Sequence, residues 1–123
     1  GISVRSNDSI PSQLVATRCE MSNNGQSGLY ICNYRDDISF NVCLRNCISH
    51  HNSHNGIDVS GKGVLHVHGN ETAIHSNATY GIFAMSFCKL FIHLPSHHKT
   101  IYNNTQEDRY LHFQGGSITN VED

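Results

Sequence analysis

One phrase recurs along this chain: Gly1-Ile2-Ser3-Val4, Gly28-Leu29-Tyr30-Ile31, Gly56-Ile57-Asp58-Val59 and Gly81-Ile82-Phe83-Ala84. Successive glycines lie 27, 28 and 25 residues apart. Four residues before each of the last three stands an asparagine: Asn24, Asn52 and Asn77. A fourth, Asn104, follows Thr100-Ile101-Tyr102-Asn103 in the manner that Asn77 follows Thr72-Ala73-Ile74. A glycine, a short apolar alternation and an asparagine that return together at a near-constant period are the mark of stacked repeats. Each repeat is then expected to bury its apolar side against the next.

Each repeat holds about three short apolar/polar alternations separated by Gly, Asn or Ser, and alternation with period two means strands with one buried face. No window sustains a helical period. The nearest, Pro11 to Met21, reads equally well as a strand with Val15, Thr17, Cys19 and Met21 on one side. Three strands in 25 to 28 residues describe one coil of a parallel β-solenoid, with coils stacked at about 4.8 Å. Ile2, Leu29, Ile57 and Ile82 are expected to form one inward ladder, and Val4, Ile31, Val59 and Ala84 the next. Aligning the chain on its asparagines puts Leu14, Val42, Val67 and Leu94 in one column and Met21, Ser49, Ile74 and Ile101 in another. Cys19 falls over Cys47. His68 and His93 each follow the last apolar residue of their strand, so His93 is expected beneath His68. Asn24, Asn52, Asn77 and Asn104 would form an asparagine ladder at a turn, a residue type that tolerates left-handed geometry and bonds neighbouring amides.

The 123 residues fit one domain, with coils over 14–104, an N-terminal capping segment over 1–13, and a C-terminal loop and last strand over 105–123. Eight Lys and Arg against ten Asp and Glu leave a formal charge of -2, which lacks the basic footprint of a nucleic-acid binder. No apolar run approaches the roughly 18 residues of a membrane span. The chain opens on Gly1 rather than Met, so a processed product or a piece of a longer chain is expected. Four coils span only about 20 Å and leave strand edges that invite association. The favoured expectation is that the module abuts more chain or a partner.

The pattern Asn-x-x-x-Gly-Ile-x-Val, once per coil, resembles the right-handed parallel β-helix repeat family over roughly residues 14–104. That family includes pectate-lyase-like enzymes, tailspike-type proteins and many non-enzymatic modules. The segment Lys62 to Asp123 also resembles uncharacterised β-helix proteins of algae and other protists. The resemblance implies an all-β fold, a right-handed parallel β-helix of about four coils with three short strands per coil, and says little about function. The family's lyases use a basic abstractor and usually calcium on a carboxylate cluster, and its hydrolases use carboxylates across a groove. Here Asp36 and Asp37 are the one acidic pair of the repeat body, in a turn insertion after Arg35; Asp58 stands alone, Lys62 and Arg109 are isolated, and Glu107-Asp108 falls in the terminal segment. None matches the catalytic pattern. No Gly-x-Ser-x-Gly elbow or P-loop string occurs. No catalysis and no cofactor are expected.

Five cysteines are an odd number. A Cys19–Cys47 bridge on adjacent coils is open, against buried thiols packing as small apolar groups. Cys43-x-x-x-Cys47 near His50, His51 and His54 lacks a recognised zinc spacing. Of ten histidines, His66, His68 and His93 share an outward face and are the candidate ligands for zinc or copper, against the plainer reading of a polar face that uses histidine. Stacked imidazoles repel when protonated, so loosening below about pH 6 is expected. His97-His98 is expected in a solvated loop. Asn7, Asn70, Asn77 and Asn103 are sequons; the ladder claims Asn77, which leaves Asn70 and Asn103 as candidate glycosylation sites. Sequons favour secretion and the odd cysteine count opposes it. Tyr30, Asp58, Phe83 and Phe91 are the candidate interface, with Phe87 completing an apolar patch. The expected function is a rigid, non-enzymatic module that assembles with a protein partner; the alternative is a carbohydrate-binding or carbohydrate-active module with a polysaccharide as ligand.

Overall fold

A computed structural model describes residues 1–6, 13–93, 100–112 and 116–121. Asn7, Pro11, Leu94, His97 and His98 lie outside the described residues. The first coil comprises β1 (Ile2–Ser6), β2 (Gln13–Thr17) and β3 (Glu20–Ser22). The second comprises β4 (Leu29–Asn33), β5 (Phe40–Arg45) and β6 (Ile48–His50), and the third β7 (Ile57–Ser60), β8 (Gly63–His68) and β9 (Ala73–His75). The fourth comprises β10 (Tyr80–Met85), β11 (Cys88–His93) and β12 (Ile101–Tyr102). Strands β13 (Glu107–His112) and β14 (Ser117–Asn120) begin a fifth. Strand pairing is parallel throughout. The strands make three sheets: β1-β4-β7-β10-β13 (sheet 1), β2-β5-β8-β11-β14 (sheet 2) and β3-β6-β9-β12 (sheet 3). The protein is therefore a parallel β-solenoid of about four coils with three strands per coil. The segments expected to cap it, 1–13 and 105–123, contribute β1, β13 and β14 to the ladders.

Alternation decides which side chains meet inside. In β8 the odd residues Gly63, Leu65 and Val67 are buried and the even ones half-buried. Leu29, Ile57, Leu65, Ile82 and Leu90 are fully buried, each stabilising by about 1.5–3 kcal/mol. The ladder Ile2–Leu29–Ile57–Ile82 forms in the expected register, as do Val4–Ile31–Val59–Ala84 and Met21–Ser49–Ile74–Ile101. One column differs. Val42 lies against Leu65, and Val67 against Leu44 and Ile92. The link from β8 to β9 spans 69–72, two residues longer than the 46–47 link from β5 to β6, so alignment on the asparagines slips by two in sheet 2. Nor do Val15, Thr17, Cys19 and Met21 share a side: Val15 is 71% exposed and Met21 3%, because Arg18, at φ 54°, turns the chain between β2 and β3.

The asparagine ladder explains the repeating glycine. The Asn24 backbone N–H and side-chain amide both donate to Asn52 Oδ1, at 3.2 and 2.8 Å. Asn52 does the same to Asn77 (3.2 and 2.9 Å) and Asn77 to Asn104 (3.1 and 2.9 Å). A Cβ at Gly28, Gly56 or Gly81 would stand 2.8, 2.7 or 2.6 Å from the side-chain nitrogen of Asn52, Asn77 or Asn104 on the next coil. Glycine is required there by the ladder above it. Left-handed geometry falls one residue earlier than expected, at Asn23, His51, Ser76 and Asn103, while the ladder asparagines bond.

Candidate functional site

The outward residues carry the chemistry, and the parallel register brings them together. On sheet 2, His66 stands in register with Phe91 and His68 with His93. Three imidazoles and a phenyl ring thus occupy the corners of a small quadrilateral. His68 and His93 stack with centroids 4.1 Å apart, and His66 and Phe91 at 5.2 Å. Across the diagonal, His66 Nδ1 and His93 Nε2 share a hydrogen bond of 2.9 Å, the tautomer deciding the donor. One ring nitrogen from each histidine lies within 4.8 Å of the other two. Burial, then the charge His93 would carry, lowers the basicity of His66. Among the described residues no other three His, Cys, Asp or Glu groups converge so closely. Cys43 and Cys47 do not join such a set: Cys43 is an outward residue of β5, while Cys47 is buried and donates to the Ala16 and Arg45 carbonyls. All five cysteines are free thiols, Cys19 and Cys47 included, and burial foremost raises the pKa of Cys47.

On sheet 1, the outward ladder runs Ser3–Tyr30–Asp58–Phe83–Tyr110. Tyr80 and Tyr110 stack at 4.6 Å, Phe83 lies 5.5 Å from each, and His112 continues the group at 5.8 Å from Tyr110. The Arg5 guanidinium sits 5.6 Å over the Tyr30 ring. The Tyr30 hydroxyl pKa is pushed up to about 12, chiefly by its hydrogen bond with Cys32 and then by burial. Burial raises the Asp58 carboxyl, against the hydrogen bond that Asn55 donates at 3.1 Å. The candidate interface divides between two sheets: Tyr30, Asp58 and Phe83 on sheet 1, Phe91 on sheet 2. Ser86 and Phe87, both left-handed, turn the chain between them. Phe87 is 62% exposed at that corner, while Phe83 and Phe91 are half-buried by neighbouring rings. The single patch of Phe83, Phe87 and Phe91 is therefore not formed.

Sheet 3 holds a second imidazole group that sequence reasoning missed. His50, His75 and Tyr102 stack at 5.0 and 4.9 Å. His50 Nε2 meets Glu20 Oε1 at 2.6 Å, and its Nδ1 meets His51 Nδ1 at 2.6 Å. The Glu20 carboxyl pKa is lowered by that bond to His50. The signal was present: His50, His75 and Tyr102 each follow a member of the inward column Ser49, Ile74, Ile101.

Arg35 binds Asp37 in a two-pronged ion pair at 2.8 and 2.6 Å inside the same turn, which lowers the Asp37 pKa. Of the sequon asparagines, Asn70 and Asn103 are exposed and Asn77 is fully buried in the ladder. Among the described residues no helix is long and apolar enough to cross a membrane.

A parallel solenoid with three sheets and a one-per-coil asparagine ladder defines the class. Residues 7–106 match the family described as right-handed beta helix region, and the chain belongs to that family. No curated protein and no solved structure matches the chain.

Proposed function

We propose that this chain is a non-enzymatic structural and interaction module, a rigid β-solenoid that presents the outward face of sheet 1 to a protein partner with an apolar contact surface. The observation that carries this reading is the ring group Tyr80, Phe83, Tyr110 and His112, each ring packed on its neighbours. Rings already held by one another lose little freedom on binding, which lowers the ordering cost of association. Sugar stacking needs free ring faces, and here the faces are taken up within the group, which favours a protein over a polysaccharide. The engagement of Asp37 by Arg35 and the solitary Asp58 speak against turnover.

The test is Phe83→Ser combined with Tyr110→Ser, with Val15→Ser on sheet 2 as control. The native mass of the source complex, with its constituent chains identified, should collapse to that of the isolated chain in the double variant alone. Circular dichroism should show unchanged strand content in both. An unchanged complex, or glycan-array binding that depends on Tyr30 or Asp58, would overturn the reading.

A further inference from the structure

We propose that His66, His68 and His93 form a transition-metal site for one divalent ion of the imidazole-preferring class, zinc(II) or copper(II), with the remaining coordination position open to water. The inference is independent of the interaction reading above, because it concerns a different sheet. Three observations carry it.

The first is convergence. Three ring nitrogens, one per histidine, lie within 4.8 Å of one another, and His66 Nδ1 stands 2.9 Å from His93 Nε2. With metal–nitrogen bonds of about 2.0–2.1 Å, two tetrahedral ligands stand roughly 3.3 Å apart. The 2.9 Å between His66 Nδ1 and His93 Nε2 is close to that value, and the rings, now 15° to 33° from parallel, turn about their side-chain torsions to aim a third nitrogen at the same ion. The second is support. His66 and His68 are two residues apart on β8, and His93 is the register partner of His68 on β11. Both strands lie inside sheet 2, flanked by β5 and β14. A site on paired strands is held more tightly than one on loops, and the Phe91 ring stacked on His66 limits that ring's travel. The third is the donor set. It is all imidazole, with no carboxylate, which suits zinc, copper or nickel and not the hard cations calcium and magnesium. In the His66–His93 hydrogen bond one nitrogen carries the N–H and the other the lone pair; an ion held by both takes the place of that hydrogen, which the donor ring then carries on its other nitrogen.

The second imidazole group is the internal control. It too is a cluster of hydrogen-bonded imidazoles, His50 meeting Glu20 and His51 and His75 meeting Ser76. That group offers no three-nitrogen convergence.

The experiment titrates the metal-free full chain with zinc chloride alone, by calorimetry against a competing chelator, and follows the imidazole nitrogens by NMR. One ion per chain is expected, with large shifts confined to three histidines. His93→Gln should weaken binding by at least the roughly tenfold to hundredfold that loss of a mere outer-shell partner costs. His75→Gln should leave it unchanged, and calcium chloride should give no response. If His93→Gln fails to fold, the wild-type NMR pattern decides. No binding, several weak ions spread over all the histidines, or equal weakening by His75→Gln and His93→Gln would each overturn the proposal.

Discussion

At the scale of single residues, Asp108 is the most informative position. By the repeat it stands four residues after a ladder asparagine, where glycine occurs in the coils before. Its carboxylate plays toward Asn104 the part that Asn104 plays toward Asn77: Asp108 Oδ1 accepts from the Asn104 backbone N–H at 3.3 Å and from the Asn104 side-chain amide at 3.0 Å. The Asn104 amide thus finds its acceptor on Asp108. Asp108→Gly should therefore cost about 1–2 kcal/mol in urea unfolding, since it strips an acceptor from two partly buried donors. Asp108→Asn keeps a side-chain carbonyl and should stay close to wild type. A neutral Asp108→Gly would show that the carboxylate is no rung of the ladder.

At the scale of elements, the stacked column on sheet 3 makes stability depend on pH. His75 faces His50, His51, the Tyr102 ring and the Ser76 hydroxyl, and Glu20 stands behind His50. Burial first, then the charges that His50 and His51 would carry, holds its pKa below the ordinary value of 6.5. A histidine whose folded pKa is depressed leaves the unfolded chain to take the proton first. The contribution is thus fully present above the unfolded value and is lost as pH falls through the folded one. The denaturation midpoint should drop between about pH 7.5 and about pH 5.5, and the drop should be shallower in His75→Gln. An identical slope in the variant would remove His75 as the cause. The direction agrees with the acid loosening read from the histidine pattern, though the column concerned is one the repeat phrase did not single out.

At the scale of the whole molecule, one inward ladder of sheet 1 changes character at β13. Arg109 stands in register with Ile82, and Leu111 with Ala84. On sheet 2, Asn120 stands in register with Ile92. Inward positions that are apolar in the coils before thus carry an arginine and an asparagine, and Arg109 donates from Nη1 to Asn120 Oδ1 at 2.6 Å. This bond links β13 of sheet 1 to β14 of sheet 2, with polar groups where earlier coils are apolar. Replacing both by leucine, Arg109→Leu with Asn120→Leu, should expose an apolar end and raise concentration-dependent self-association in sedimentation velocity. A distribution identical to wild type would mean that the polar pair does not keep that end from stacking.

The repeat by itself determined the coil, the three parallel sheets, the inward ladder from Ile2 to Ile82 and the asparagine ladder from Asn24 to Asn104. It could, because a solenoid's contacts are between equivalent positions one period apart, and alternation alone says which of them point inward. The His68–His93 pairing was legible for the same reason. What alternation does not carry is turn length. The two extra residues of the 69–72 link moved Val67 into the Ala16–Leu44 ladder, and the Ser86-Phe87 corner sent Phe83 and Phe91 to different faces. Nor does it carry diagonal contacts, such as His66 Nδ1 to His93 Nε2, or the crossing from Arg109 to Asn120. Those depend on register between strands and on where each side chain reaches, and only the assembled solenoid decides them.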